Sequence, residues 1–477
     1  MNQKPNLAWQ LAALAQRSAN RQTALIGLGL AVLLLLGSAI YLGSRNMPRP
    51  YAGYTLFAPL NSKITYLINN GGQVVHRWNS RYLPGISVYL LDNGHLLRTA
   101  KMEGAGKAFN AGGAGGGVQE LDWDSRVHWE FSYSNEQHRS HHDVKRLPNG
   151  NLLMIAWEYK SAAAAVAAGR DPGLLKDGKL WPDHLIEVQP TAAGGKIVWQ
   201  WHLWDHLIQD YDPAASNYGA VAEHPELVDL NYVGTMTLAP GGADWTHINA
   251  VDYNPKLDQI MLSVHGFNEI WVIDHSTTSA EAAGHRGGRY GKGGDLLYRW
   301  GNPRTYRAGR IVDQQLFGQH DAKWIPDGRP GQGHIMLFNN GLNRNGKGTG
   351  YSTVVEIQPP LAKNGTYRLA KGHRYGPAKP LWTYRGNPRN AFYSAYISGA
   401  QRLPNGNTLI CNGYNGRFFE VTRGGRIIWS YVNPFGALEA NAGGAATASV
   451  IKRNGVFRAE RYASDHPGIR DNLKKSS

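Results

Sequence analysis

Five polar residues stand out by type and spacing. His142, His247 and His320 each open a β-rich run, Asn249 follows His247 by two residues, and His265 ends the next run. Imidazole changes charge near neutrality, so such residues can donate or accept a proton, attack an electrophile or bind a metal. Three of them share a repeat register. HDVKRLPNGNLLMIA from His142, SGAQRLPNGNTLICN from Ser398 and HDAKWIPDG from His320 each read as strand, Asn-Gly or Asp-Gly turn, strand. ISVYLLDNGHLLRTA from Ile86 and HINAVDYNPKLDQIMLSV from His247 are looser forms. Counting back eight positions from Gly150, Gly328, Gly406 and Gly94 reaches His142, His320, Ser398 and Ile86, and the unit without that glycine opens on His247. Packing alone would scatter the 18 histidines of this 477-residue chain; three at one register position point to a shared site. Alternation along a strand places Asn249 on the same face as His247 and turns His141, Asp143 and Asp321 away, the two aspartates to hydrogen bonds within the repeats.

Two chemistries fit such a cluster. Imidazoles from several blades can hold iron or copper, or a neutral imidazole can act as nucleophile while the others serve as acid, base or anion clamp. Asn249 is a poor metal ligand and a good amide donor to an oxyanion, which favours group transfer. The single cysteine, Cys411, excludes a disulfide framework and a Cys-rich metal site and reads as a small buried apolar residue.

The elements that must position these residues form a double repeat. The histidine-bearing hairpins alternate with strand pairs ending in Trp or another aromatic: Thr65–Trp78, Gln119–Phe131, Leu185–Trp201, Ile270–Trp300, Val354–Tyr384 and Phe418–Tyr431. Six pairs in alternation predict an all-β, six-bladed β-propeller over residues 51–477. The chain starts with an outer pair and ends with a degenerate inner pair, Ser449–Tyr462, so the N- and C-terminal strands should close one blade together. About 71 residues per blade exceed what four strands need, and the surplus falls in insertions at 203–244, expected to form helices over one face, and 276–295. Inner strands surround the axis, so the register histidines should meet at its mouth.

Residues 1–50 read as a cytoplasmic tail, an anchor and a short linker. Ala24–Gly43 carries no charge, and twenty residues reach about 30 Å, the thickness of a bilayer core. The expectation is a single-pass helix in the inner (cytoplasmic) membrane with the propeller facing the periplasm. The net charge of +15 is dispersed and comes with no nucleic-acid motif, so nucleic acid is not an expected partner. Gly341–Lys347 nearly spells a phosphate loop, but Gly348 replaces the magnesium-binding Ser or Thr and no helix is expected after it. Gly104–Gly117 reads as an interblade loop. Trp245, Phe392, Tyr393 and Tyr396 are candidates for an aromatic pocket or for packing.

The segments HHDVKRLPNGN, DWTHINAVDYNP, LSVHGFNEIWVID, GQHDAKW and SGAQRLPNGNTLIC, in this order, resemble the blade motifs of the bacterial arylsulfate sulfotransferases. The resemblance covers nearly all of the chain after Tyr51 and implies a six-bladed propeller. It also implies transfer of a sulfuryl group from a phenolic sulfate ester to an acceptor phenol, with no nucleotide donor and no cofactor. His320 lies in the segment matching the family's sulfohistidine, and His142, His247 and Asn249 match its other polar site residues. One departure stands out. The family carries Arg before the third-blade His, where this chain has Val264 before His265, so His265, Arg344 or Lys347 would have to supply the missing cation. A histidine-ligated metalloenzyme and a non-catalytic scaffold remain the alternatives.

Overall fold

The structure, a computed structural model, describes residues 10–21, 23–26, 28, 29, 32, 48–102, 108–234, 242–344, 350–370, 372–436 and 454–474. The chain divides into two compact units, Met1–Arg49 and Pro50–Ser477. In the first, residues 10–21 are helical. Most of the expected anchor at 24–43 lies outside the described residues, and no described helix is long and apolar enough to cross a membrane.

The second unit is an all-β six-bladed propeller of four-stranded antiparallel sheets. Blade one runs outward from Val456–Ala463 through Gly53–Pro59 and Ile64–Asn69 to Val74–Asn79. The other innermost strands are Pro84–Leu90, His138–Arg146, Ile248–Asn254, His320–Trp324 and Gly399–Arg402, for blades two to six. Innermost strands of successive blades pack against one another, Gly399–Arg402 against Val456–Ala463 included. The Asn-Gly turns do what their residues allow: Gly150 and Gly406 sit at φ +88° and +86°, the left-handed region that a Cβ disfavours.

Polar side chains repeat with the blades. The inner-strand carboxylates accept a backbone N–H from the next blade: Asp143 from Val251 at 3.2 Å, Asp252 from Trp324 at 2.9 Å, Asp321 from Ala400 at 2.9 Å. Arginines at inner-strand ends reach a glutamate of the preceding blade, as in Arg146–Glu120, Arg402–Glu356 and Arg461–Glu420. Side-chain alternation thus serves two ends: apolar faces fill the space between blades, and polar residues lock neighbours together.

Several expectations change. The strand from Val456 is not half of a hairpin with its own C-terminal partner; Gly53–Pro59 supplies the second position, pairing Leu56 with Glu460. The region 203–234 holds only 3₁₀ turns, Leu203–Asp205 and Val221–Glu223, and a parallel strand pair, because each apolar stretch there is too short for a helical face. A short helix, Ala162–Ala167, instead lies between the second and third strands of blade three. The glycine-rich segment before Gly117 is an intrablade connection, joining Leu96–Ala100 to Gly117–Leu121. The phosphate-loop look-alike joins Ile335–Asn339 to Thr353–Ile357, and residues 345–349 lie outside the described residues.

Candidate active site

The inner strands bring the predicted histidines together. Ring centroids lie 4.6 Å apart for His142 and His247, 5.3 Å for His247 and His265, and 5.2 Å for His265 and His320. Phe457 closes the circle, 6.0 Å from His142 and 6.1 Å from His320. Behind it the Arg458 guanidinium, 4.6 Å from the Phe457 ring, bonds Asp143, Tyr89 and the Asn249 carbonyl. Three blades and the C-terminal strand therefore build one axial cluster. It is nearly dry: His142 is 3% exposed and His320 4%, while the His247 side chain retains 12%.

Local backbone explains how these rings converge. His142 and His247 both take left-handed φ, +55° and +50°, where a non-glycine residue costs about 1–3 kcal/mol. Pairing registers slip between Ser140 and Val144, between Ile248 and Ala250, and between His320 and Lys323. Such bulges re-aim side chains. They also break the two-residue alternation from which Asn249 was placed with His247. Asn249 sits in the bulge, fully buried, with its amide nitrogen 2.8 Å from the Gln319 carbonyl. The atom it leaves without a partner is Oδ1, an acceptor, not a donor for an incoming oxyanion. His141 does point away from the cluster, as alternation implied, toward Asp183.

The electrostatics sort the rings into two kinds. Burial pulls His247 down, but the Asp244 carboxylate, 2.5 Å from its Nδ1, outweighs burial and raises its pKa above the usual 6.5. Trp157 pins Asp244 with its indole N–H at 3.0 Å. His142 and His265 are lowered well below 6.5, first by burial and then by neighbouring imidazoles. Burial takes His320 down to about 3, against the raising effect of Asn340. The Asn340 amide donates to the carbonyls of Ser394 and Ile397, which turns its Oδ1 toward His320 Nδ1 at 2.8 Å. His320 Nδ1 therefore carries the hydrogen and Nε2 the lone pair, met by the Ile397 N–H at 3.3 Å. The site holds three neutral bases and one imidazole biased toward its charged form.

A glycine loop shapes the cluster. A Cβ on Gly113 would lie 2.2–2.4 Å from three atoms of the His142 ring. Val264, where the resembling family has Arg, is fully buried in an apolar cluster with Trp245, Phe267 and Ile248. Arg344 is sandwiched between Phe317 and Tyr351, each 4.8 Å away, with two nitrogens buried and unpartnered; Lys347 lies outside the described residues. Trp245 and Phe392 belong to packing clusters. A cavity of about 760 Å³ opens at the other end of the axis, but Lys145, Lys323 and Arg458 there are all paired with carboxylates. Among the described residues, ligand atoms converge within 4.8 Å in Glu158–His184–His202, His206–His285–Asp295 and His95–Glu120–His128, not in the axial cluster.

Sequence reasoning missed Asp183, Asp244, Asn340, Trp157 and Phe457. Only Asp244, three residues before His247, carried a local signal.

No curated protein matches the chain. Among solved structures it is similar to a Bacteroides caccae protein of unknown function (11% identity, TM-score 0.41, 80% of this chain and 93% of that one). It is also similar to a catalytically inactive virginiamycin B lyase from Staphylococcus aureus (9% identity, TM-score 0.32, 73% and 70%). The arylsulfotransferase (ASST) family model matches residues 57–430, which hold blades two to five whole, blade six up to its outermost strand and the N-terminal strands of blade one, and the chain belongs to the arylsulfotransferase family.

Proposed function

We propose that the protein transfers a sulfuryl group from a phenolic sulfate ester to an acceptor phenol through a sulfohistidine on His320. The observation that carries this reading is the axial cluster itself, four imidazoles of which one is biased toward its charged form, in a chain of this family. The His320 Nε2 lone pair attacks sulfur, giving up the long contact from Ile397. The sulfur–aryl oxygen bond breaks and its electron pair leaves with the phenolate, which takes a proton from His247. The positive charge that forms on the His320 ring is met at Nδ1 by two acceptors, Asn340 Oδ1 and the Gly318 carbonyl. In the second half, His142 Nε2 takes the proton of the acceptor phenol, whose oxygen attacks sulfur and frees His320. The transition state is loose and its charge spreads over oxygens, so preorganised donors matter more than covalent assistance. His265, between His247 and His320, lines the space the sulfuryl group would cross.

The uncharged run 24–43 supports a single-pass anchor in the inner membrane with the propeller in the periplasm, closed by the sheet that joins the two chain ends. Aryl sulfates and phenols are the proposed small-molecule partners.

The test is exposure to a chromogenic aryl sulfate with and without a phenol, followed by peptide mass spectrometry. Trapped sulfate on His320 and loss of phenol release in His320→Ala are expected. Undiminished release in both His320→Ala and His142→Ala would refute the mechanism.

A further inference from the structure

We propose that Asp183 and His141 are positioning residues that form a proton relay behind His142, so that the charge generated when an acceptor is deprotonated comes to rest on His141 and not inside the histidine cluster. This rests on the reading of His142 as the base.

The hydrogen positions follow from the partners. Asp183 and His141 have no solvent-exposed side-chain surface, and His141 Nε2 lies 2.6 Å from Asp183 Oδ1. The other oxygen, Oδ2, accepts from the Thr246 hydroxyl at 2.5 Å and the Ile248 N–H at 3.0 Å. A carboxylate with those donors accepts from His141, so His141 Nε2 carries the hydrogen and its Nδ1 is bare. His141 Nδ1 lies 2.8 Å from His142 Nδ1. That contact needs one hydrogen, and it can only be on His142. His142 Nε2 is thereby left as the acceptor.

A fixed tautomer alone would not make His142 an effective base. Its ring is buried and packs 4.6 Å from His247, so a second cation inside the cluster is disfavoured. The relay removes the conflict. His142 Nε2 takes the acceptor's proton while the Nδ1 hydrogen passes to His141 Nδ1. One proton enters and one shifts; His142 ends neutral with hydrogen on Nε2, and His141 becomes an imidazolium bonded to the Asp183 carboxylate. Trp157 stacks on the His141 ring at 4.0 Å and 17°, where its face favours a cation. The same indole donates to Asp244, the partner of His247, so one side chain orients both aspartate–histidine units.

The experiment uses the full chain with 15N-labelled histidine. Long-range proton–nitrogen spectra of wild type should show His142 protonated on Nδ1. In Asp183→Asn the carboxamide donates to His141 Nε2, reversing both tautomers, so His142 should move to Nε2–H. With an aryl sulfate and a phenol, Asp183→Asn and His141→Phe should slow sulfuryl transfer to the acceptor by about 10²–10⁴-fold, the usual worth of a general base, while burst release of the first phenol persists. His142 found protonated on Nε2 in wild type, or a tautomer unmoved by Asp183→Asn, would overturn the relay; the wild-type spectrum decides even if the variant does not fold. Expected tautomers without any transfer activity would leave the Asp183–His141–His142 hydrogen-bond chain standing and overturn the proposed function, and with it the chain's part in transfer.

Discussion

Adding one methyl group to the glycine loop should disable the cluster, and a neighbouring glycine supplies the control. Gly113 holds φ +79°, and an ideal Cβ there would meet His142 Cε1, Nε2 and Nδ1 at 2.2, 2.3 and 2.4 Å. Carbon contacts settle near 3.5 Å, so in Gly113→Ala the ring or the loop must give way by roughly 1.2 Å. The 2.8 Å bond from His142 to His141 does not survive such a shift of the ring, because hydrogen bonds fade beyond about 3.2 Å. A misplacement of about 1 Å at reacting groups costs on the order of 10²-fold in rate, and an alanine in left-handed backbone adds about 1–2 kcal/mol of destabilisation. Gly112→Ala is different: the nearest atom is His247 Cε1 at 3.8 Å, an ordinary contact, and φ is not in the left-handed region. The assay compares aryl-sulfate turnover and urea unfolding of the two variants. Gly113→Ala should lose at least about two orders of magnitude in turnover and Gly112→Ala less than a factor of about three. Equal activities, or equal stabilities with an unmoved His142 resonance, would refute the claim that this loop seats the ring.

Acid should destabilise the fold through its buried histidines. His320 and His184 have folded pKa values of about 3 against 6.5 unfolded, so between pH 6.5 and 3 the unfolded chain binds protons that the native state refuses. Each then removes about 1.4 kcal/mol per pH unit as pH falls through that window. His247, raised above 6.5, acts oppositely: its contribution is complete below 6.5 and is lost as pH rises through the folded value. Urea unfolding at pH 6 and 4.5 should show a pH slope about 1.4 kcal/mol per unit smaller in His320→Gln than in wild type, and an unchanged slope would contradict the burial account. Restoring the arginine of the resembling family should fail: Val264→Arg places a cation in a fully buried apolar cluster, at a cost of several kcal/mol, about 3 or more. Thermal denaturation at the wild-type midpoint, or a gain in turnover, would show that the neighbourhood can accommodate the charge.

Much of the architecture was legible because it is periodic. A turn such as Leu-Pro-Asn-Gly states its own backbone angles, and six copies of an outer pair alternating with hairpins leave few folds to consider. The meeting of His142, His247 and His320 followed from the same arithmetic, since equivalent positions of blades face a common axis. The insertions were harder: 203–234 is too short in each apolar segment for a helix, and the Ala162–Ala167 helix lies between two strands of blade three, where the repeats mark no insertion.

Sequence alone determined which residue types recur and at what interval, and therefore the blades and the approach of the register histidines. Tertiary structure decided what each histidine can do. The bulges that free Asn249 from the alternation depend on pairing with a second strand. The tautomer of His142 depends on Asp183, forty-two residues from His141, and that of His320 on Asn340, twenty residues away. Proton positions are fixed by whichever donors and acceptors surround a ring once water is excluded, and those partners are chosen by packing between strands, not by spacing along the chain.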